Sequence, residues 1–168
     1  MDPAHLHVAL MYDDDAYVDS AQVTSAPNGR LGVMGRQVAG KEFLDAYLHH
    51  GRWKEITAIV RNRGSQQSIT DLWRSLHKSV TMNRQLRIAG QAGFHTHYFP
   101  NPPSRILHIP SPPDEKFAWV RQHRDPAAFA LSGVTHTLCT GRIARSLCNL
   151  VEGPFESYDT LFCTSKCA

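Results

Sequence analysis

Short apolar runs alternate with longer amphipathic segments along this chain. The run His7–Tyr12 (HVALMY) is continuously apolar, which is typical of a strand buried on both faces of a parallel sheet. Ile56–Val60 (ITAIV) is short and rich in β-branched residues, as strands commonly are. The same criteria, applied to the whole chain, predict these strands: His7–Tyr12, Ile56–Val60, Leu86–Ala89, Phe94–Phe99, Ile106–Ile109, Phe129–Val134 and Asp159–Cys163.

Apolar residues recur near the helical period between several of these strands. Met34–His49 shows this pattern and is followed by Gly51, a residue type that often ends helices. Ser65 or Ser68 is predicted to cap a second helix that runs through Val80. Two further helices are predicted, one from Asp114 as N-cap to about His123 and one from Thr137 or Thr140 through Leu150.

Strands that alternate with helices favour right-handed βαβ units, in which the helices cover both faces of a parallel sheet. The sequence therefore predicts an α/β fold, a three-layer sandwich with a mainly parallel sheet. Its 168 residues correspond to about one domain of ordinary size. A polar loop from Asp13 to Val33 follows the first strand, and loops of that length in compact domains are usually functional.

Composition narrows the class of protein. The net charge is only +3 and the basic residues are scattered among acids, so nucleic-acid binding is not expected. No apolar stretch approaches the length of a membrane span and Asp2 stands where a signal peptide would be basic, which predicts a cytoplasmic protein without a transmembrane segment. Four irregularly spaced cysteines are predicted to be reduced, mostly buried thiols: Cys139, Cys148, Cys163 and Cys167.

The segment between the first strand and the first helix is a candidate binding loop. Ligands of open parallel sheets bind beyond the carboxyl ends of the strands, and glycines at a helix start allow phosphate to approach the backbone. The glycines are Gly29, Gly32, Gly35 and Gly40. They do not follow the G-x-G-x-x-G pattern and no acidic residue follows the second strand, which disfavours a dinucleotide site and leaves simple loop closure as the alternative. Asp13–Asp15 is either a cation site or, the favoured interpretation, a solvated strand end.

A second candidate is Gly133–Thr137 (GVTHT), directly after a predicted strand. His136 there is a candidate acid, base or hydrogen-bond donor, with the hydroxyls of Thr135 and Thr137 beside it; a structural histidine is the alternative. Ser165 after the last strand is a third candidate, for which helix capping is the simpler interpretation. Two histidine pairs, His5 with His7 and His95 with His97, lack a nearby third ligand, so no metal site is predicted.

Three segments carry a family resemblance: GRLGVMGRQVAGKEFLDAYL (Gly29–Leu48), LSGVTHTLCTGRI (Leu131–Ile143) and PFESYDTLFCTSK (Pro154–Lys166). Together they resemble the N-terminal half of bacterial retaining glycosyltransferases of the GT-B type, group 1, family four. The resemblance implies a Rossmann-like, acceptor-side domain that closes over a nucleotide-diphosphate sugar held mainly by a second Rossmann-like domain. It also implies hexose transfer to an acceptor that the sequence does not identify, with no metal or other cofactor.

The resemblance also assigns roles to individual residues. It places Gly32, Gly35 and Arg36 near the phosphates of the sugar nucleotide, and His136 beside the transferred sugar. The strand end with the Thr-Ser pair corresponds to Phe162–Ser165.

The size of the family's enzymes sets a further expectation, because they are about twice as long as this chain. We therefore expect the C-terminal donor-binding domain to lie outside these residues, and the isolated chain to be inactive. Two alternatives stay open: a non-catalytic α/β ligand-binding or regulatory module, and a flavodoxin-like or other nucleotide-binding domain.

Overall fold

The computed structural model of the chain describes residues 7–13, 16–17, 35–76, 81, 83–91, 104–135 and 141–163. The described residues form a six-stranded sheet and four longer helices. In chain order these are β1 His7–Tyr12, α1 Gly35–His50, β2 Glu55–Val60, α2 Arg63–Ser75, β3 Gln85–Gly90, β4 Ile106–Ile109, α3 Glu115–Arg124, β5 Ala130–Thr135, α4 Gly141–Glu152 and β6 Thr160–Cys163.

All neighbouring strands of the sheet are parallel, in the order β3-β2-β1-β4-β5-β6. The predicted α/β sandwich is therefore confirmed, and the order is that of a Rossmann-like fold. β1 is central: Val8 lies opposite Ile56 on β2 and Ile106 on β4. Because β1 and β4 are neighbours in the sheet but not in sequence, the chain changes direction between them, and this pair of strands is the topological switch point.

Successive residues of the strands point to opposite faces and supply two cores. Leu10 belongs to a cluster with Leu44 of α1 and Ile69 of α2. Ala9, its neighbour on β1, belongs instead to a cluster with Phe117 of α3 and other residues from the second half of the chain. Burial on both faces explains why β1 and β2 have continuous apolar runs instead of alternating ones.

The helix starts were predicted with mixed success. Asp114 caps α3 as expected, since its Oδ1 accepts a hydrogen bond from the backbone N–H of Lys116 at 3.0 Å. The predicted cap of α2 at Ser65 or Ser68 is wrong: Asn62 caps this helix, and its Oδ1 accepts from the N–H of Ser65 at 2.9 Å. Asn62 is extended and precedes the first helical turn, which is the conformation that an N-cap requires.

Other boundaries and exposures also differ from the prediction. α2 ends at Ser75, with extended Leu76 as C-cap, and Val80 lies outside the described residues. The prediction of mostly buried thiols is wrong for Cys148 and Cys163, which are exposed; Cys139 and Cys167 lie outside the described residues, as does the predicted strand Phe94–Phe99. No helix in the described ranges is both long enough and apolar enough to cross a membrane.

A buried ion pair joins α3 to the strands of the second half. Arg121 is fully buried, and its two terminal nitrogens each donate to one oxygen of Asp159 at 2.6 Å. The guanidinium also donates to the carbonyl of Phe129 at 2.9 Å, while Asp159 accepts from the backbone N–H of Leu131 at 2.7 Å. Burial lowers the pKa of Arg121, but the hydrogen bonds and charge of Asp159 outweigh that effect and hold the pKa above its ordinary value.

We expect Asp159→Asn to lower the free energy of unfolding by about 3–5 kcal/mol, because the substitution leaves a buried guanidinium without its counter-charge. Chemical denaturation monitored by circular dichroism measures the change. Asp71→Asn is the matched control, since the Asp71 carboxylate is exposed beside Arg74 at 3.3 Å and its removal should cost less than about 1 kcal/mol. Equal effects of the two substitutions would contradict a structural role for the buried pair.

Candidate active-site cleft

A cleft of about 610 Å³ opens at the carboxyl ends of the strands, over the switch point between β1 and β4. Its lining comes from the ends of β1, β2 and β4, from Gln91 after β3, from the first turn of α3 and from one side of α4. Parallel strands all present their carboxyl ends at one edge, and ligands of open α/β sheets bind there. The cleft is therefore the candidate functional site, and its volume suits a small organic ligand.

The floor of the cleft is apolar. Met11, Ile59 and Ile109 lie at the carboxyl ends of the neighbouring strands β1, β2 and β4, and Phe117 comes from α3. Ile59, Ile109 and Phe117 also belong to the core cluster beneath α3, so the floor is continuous with the folded interior. Such a floor gives a ligand an apolar surface to contact while the sheet holds it rigid.

The rim carries charge in two pairs. Asp13, the first residue after β1, lies 3.5 Å from a terminal nitrogen of Arg61, the first residue after β2. Asp114 lies 3.1 Å from the ammonium of Lys116 in the first turn of α3. All four side chains are partly exposed, so each pair contributes little to stability.

One wall of the cleft rests directly on β5. The carbonyl of Ser111 accepts a hydrogen bond from the N–H of Val134 at 3.3 Å. A Cβ on Gly133 would lie 2.5 Å from the Ser111 carbonyl oxygen and 2.6 Å from Cδ of Pro113. Position 133 therefore requires glycine because Ser111 and Pro113 approach the β5 backbone closely. This packing reason is independent of any role of the Gly133–Thr137 motif.

Tyr12, the last residue of β1, also lines the cleft. Its hydroxyl hydrogen bonds with the Ser68 hydroxyl at 2.9 Å, and its ring stacks on Tyr17 at 5.1 Å between centroids. Burial, followed by the neighbouring Tyr12 and Asp13, raises the pKa of Tyr17 well above its ordinary value, so this phenol stays neutral. Gly40 of α1 permits the chain near Tyr17 to approach, since a Cβ there would lie within van der Waals overlap of the Ala16 carbonyl oxygen, at 2.4 Å.

The structure locates three of the predicted site residues. Gly35 and Arg36 are the first two residues of α1, the helix that follows β1. Thr135 is the last residue of β5; it is 2 % exposed, does not line the cleft, and donates to the carbonyl of Phe162 on β6 at 3.5 Å. Gly32, His136, Thr137 and Ser165 lie outside the described residues.

Sequence reasoning missed the segment after β4. Pro110, Ser111 and Pro112 line the cleft together with Asp114, although none of them was among the predicted site residues. A signal was present, because an apolar strand followed by prolines and then by a helix N-cap marks a strand end at the binding edge. The rim cations Arg61 and Lys116 were also not among the predicted site residues.

Histidines and acids supply no metal centre in the described part of the chain. His7 lies 3.6 Å from the buried carboxylate of Glu55, which Arg87 also contacts, at the amino end of the sheet. Asp13 faces Arg61. Within the described ranges, no three His, Cys, Asp or Glu side chains converge as metal ligands would.

We expect Gly133→Ala to destabilise the protein by about 1–3 kcal/mol, because the new methyl group overlaps the Ser111–Pro113 wall. Thermal or chemical denaturation measures the loss. Gly90→Ala on β3 is the control: a Cβ there meets nothing within 4 Å, so the change should stay within about 1 kcal/mol. If Gly133→Ala is as mild as the control, the wall does not press on β5.

Comparison with known proteins adds no relative to this picture. Family models, curated proteins and solved structures were searched, and none of them matches the chain. The function must therefore be inferred from the cleft and from the three sequence segments that lead to the same edge of the sheet.

Proposed function

We propose that this chain is the acceptor-side, Rossmann-like domain of a GT-B glycosyltransferase that moves a hexose from a nucleotide-diphosphate sugar to an acceptor. One observation carries the proposal: the three segments that resemble this family lead to one edge of one parallel sheet. Gly29–Leu48 contains the start of α1, Leu131–Ile143 contains the end of β5, and Pro154–Lys166 contains all of β6. A parallel sheet presents the ends of β5 and β6 at the same edge as the cleft.

The proposed chemistry centres on His136, which directly follows the last residue of β5. A histidine at this position would contact the transferred sugar or the acceptor hydroxyl, as acid, base or hydrogen-bond donor near neutral pH. Gly32, Gly35 and Arg36 would serve the phosphate side, since backbone N–H groups at a helix start and a guanidinium both favour an anion. Thr137 and Ser165 are proposed to contact substrate.

Thr135 has a different role in this proposal. Its side chain is buried and its hydroxyl donates to Phe162 on the neighbouring strand. It therefore holds the end of β5 against β6, and in this proposal it would position His136, the next residue in the sequence. Positioning of this kind matters because a small displacement of a reacting group costs a large part of the rate.

The donor side of the reaction needs a second Rossmann-like domain in this proposal. Transfer requires fixed positive groups at the departing diphosphate, and the acceptor-side domain supplies only part of them. The 168 residues alone are thus expected to bind ligand without measurable turnover. A transfer assay with nucleotide-diphosphate hexoses, run on this chain alone and on a protein containing both halves, tests this expectation; turnover by the chain alone would contradict it.

In the two-domain enzyme we expect His136→Ala to lower kcat by about 10²–10⁴-fold, the range that a positioned acid or base contributes. Steady-state transfer of a labelled hexose measures the effect. His123→Ala is the control, because His123 lies near the far end of α3, where its ring stacks on Trp119 at 6.0 Å. Unchanged kcat in the His136 variant would remove this residue from the site.

A further inference from the structure

The charges of the cleft distinguish between two classes of ligand. Phosphate sites in Rossmann-like folds rely on a glycine-rich turn directly after β1 and on free N–H groups at a helix start. Here Asp13 directly follows β1, and its carboxylate is on the cleft rim. A phosphate entering at this point would meet a negative charge where those folds place backbone N–H groups.

A carboxylate, that of Asp114, also occupies the start of α3. One oxygen of Asp114 accepts the backbone N–H of Lys116 at 3.0 Å, and the other lies 3.1 Å from the Lys116 ammonium. Asp114 thus contacts both groups that would otherwise bind a phosphate oxygen. Across the cleft, Asp13 lies 3.5 Å from Arg61. Both basic side chains on the described part of the rim therefore face a carboxylate.

Paired charges of this kind suit hydroxyl groups. A carboxylate accepts the O–H of a sugar, and a neighbouring guanidinium or ammonium donates to the same oxygen, so each pair satisfies a hydroxyl in both directions. The apolar floor of Met11, Ile59, Ile109 and Phe117 can contact the C–H face of a ring. Neither feature requires the ligand to carry a charge.

We infer that this cleft takes an uncharged polyhydroxylated ring, a free sugar or a cyclitol, and excludes phosphate groups. The inference deepens the proposed function and rests on it, because it names the acceptor class of the same site. Donor phosphates then bind away from the rim carboxylates, on the side of Gly35 and Arg36.

Titrations followed by ¹H–¹⁵N correlation spectra of the 168-residue chain test the inference. The probes are glucose, galactose, mannose, myo-inositol and inorganic pyrophosphate, each added separately. At least one polyol is expected to shift the amide signals of Asp13, Arg61 and Lys116 in a saturable way, and pyrophosphate is expected to leave them unchanged. Tighter binding of pyrophosphate than of every polyol at these amides, or no polyol effect on them, overturns the inference.

The double variant Asp13→Asn/Asp114→Asn sharpens the test. Asparagine caps helices as well as aspartate does, so the fold is kept while both negative charges are lost. The polyol Kd is expected to rise about tenfold, because its hydroxyls lose their charge-assisted hydrogen bonds to the two carboxylates. The pyrophosphate Kd is expected to fall about tenfold, because Arg61 and Lys116 can then bind its oxygens. Asp45→Asn/Asp71→Asn removes the same charge outside the cleft and should change both constants less than about twofold, because exposed charges at a distance are screened.

Equal gains of pyrophosphate affinity in both double variants would also overturn the inference, because net charge would then explain them. The outcome is separable from that of the proposed function. If the two-domain enzyme transfers hexose while the cleft binds pyrophosphate or no polyol, only the acceptor inference fails. If polyols bind the cleft and no hexose is transferred, the proposed function fails and the cleft is a carbohydrate-binding site.

Discussion

The buried ion pair between Arg121 and Asp159 is the contact on which the second half of the sheet depends. It ties the last turns of α3 to the start of β5 through Phe129 and Leu131, and to the segment that leads into β6. A buried guanidinium without its carboxylate would be costly, so the two elements must fold together. The other end of the same helix carries Asp114 and Lys116 to the cleft rim. The Arg121–Asp159 pair thus holds the helix that supplies one of the two charge pairs of the rim.

The first half of the sheet reaches the cleft by a different route. β1 and β2 are held by apolar packing beneath α1 and α2, and their ends place Asp13 beside Arg61. Gly40 lets the chain after β1 lie directly against α1, which fixes Tyr17 and, through ring stacking, Tyr12. The two halves meet at the switch point between β1 and β4, so the cleft is built from residues that are distant in sequence but share one sheet edge.

Much of this fold could be predicted from the sequence because its strands are short apolar runs. His7–Tyr12 and Ile106–Ile109 match the observed strands, since residues buried on both faces leave a continuous signal. Local competition was harder to predict: Asn62 caps α2 because it lies just ahead of the first turn, although two serines stand nearby. Cys163 is exposed because β6 is an edge strand that pairs only with β5 among the described strands. The local pattern of apolar residues does not predict the order of the strands.

Contacts between residues that are distant in sequence could not be predicted from local motifs. Arg121 and Asp159 are 38 residues apart, and no spacing rule links them. The Asp13–Arg61 pair likewise depends on parallel pairing, which places the ends of β1 and β2 side by side.

Under the proposed function, charge pairing on the rim would keep the two substrates apart. A neutral ring bound against Asp13 and Asp114 leaves those carboxylates in place, whereas a diphosphate at the same point would be repelled by them. In the proposed function the donor phosphates instead bind near the start of α1, where a helix N-terminus favours an anion. Acceptor and donor would then be sorted by charge before any contact with the transferred sugar is made.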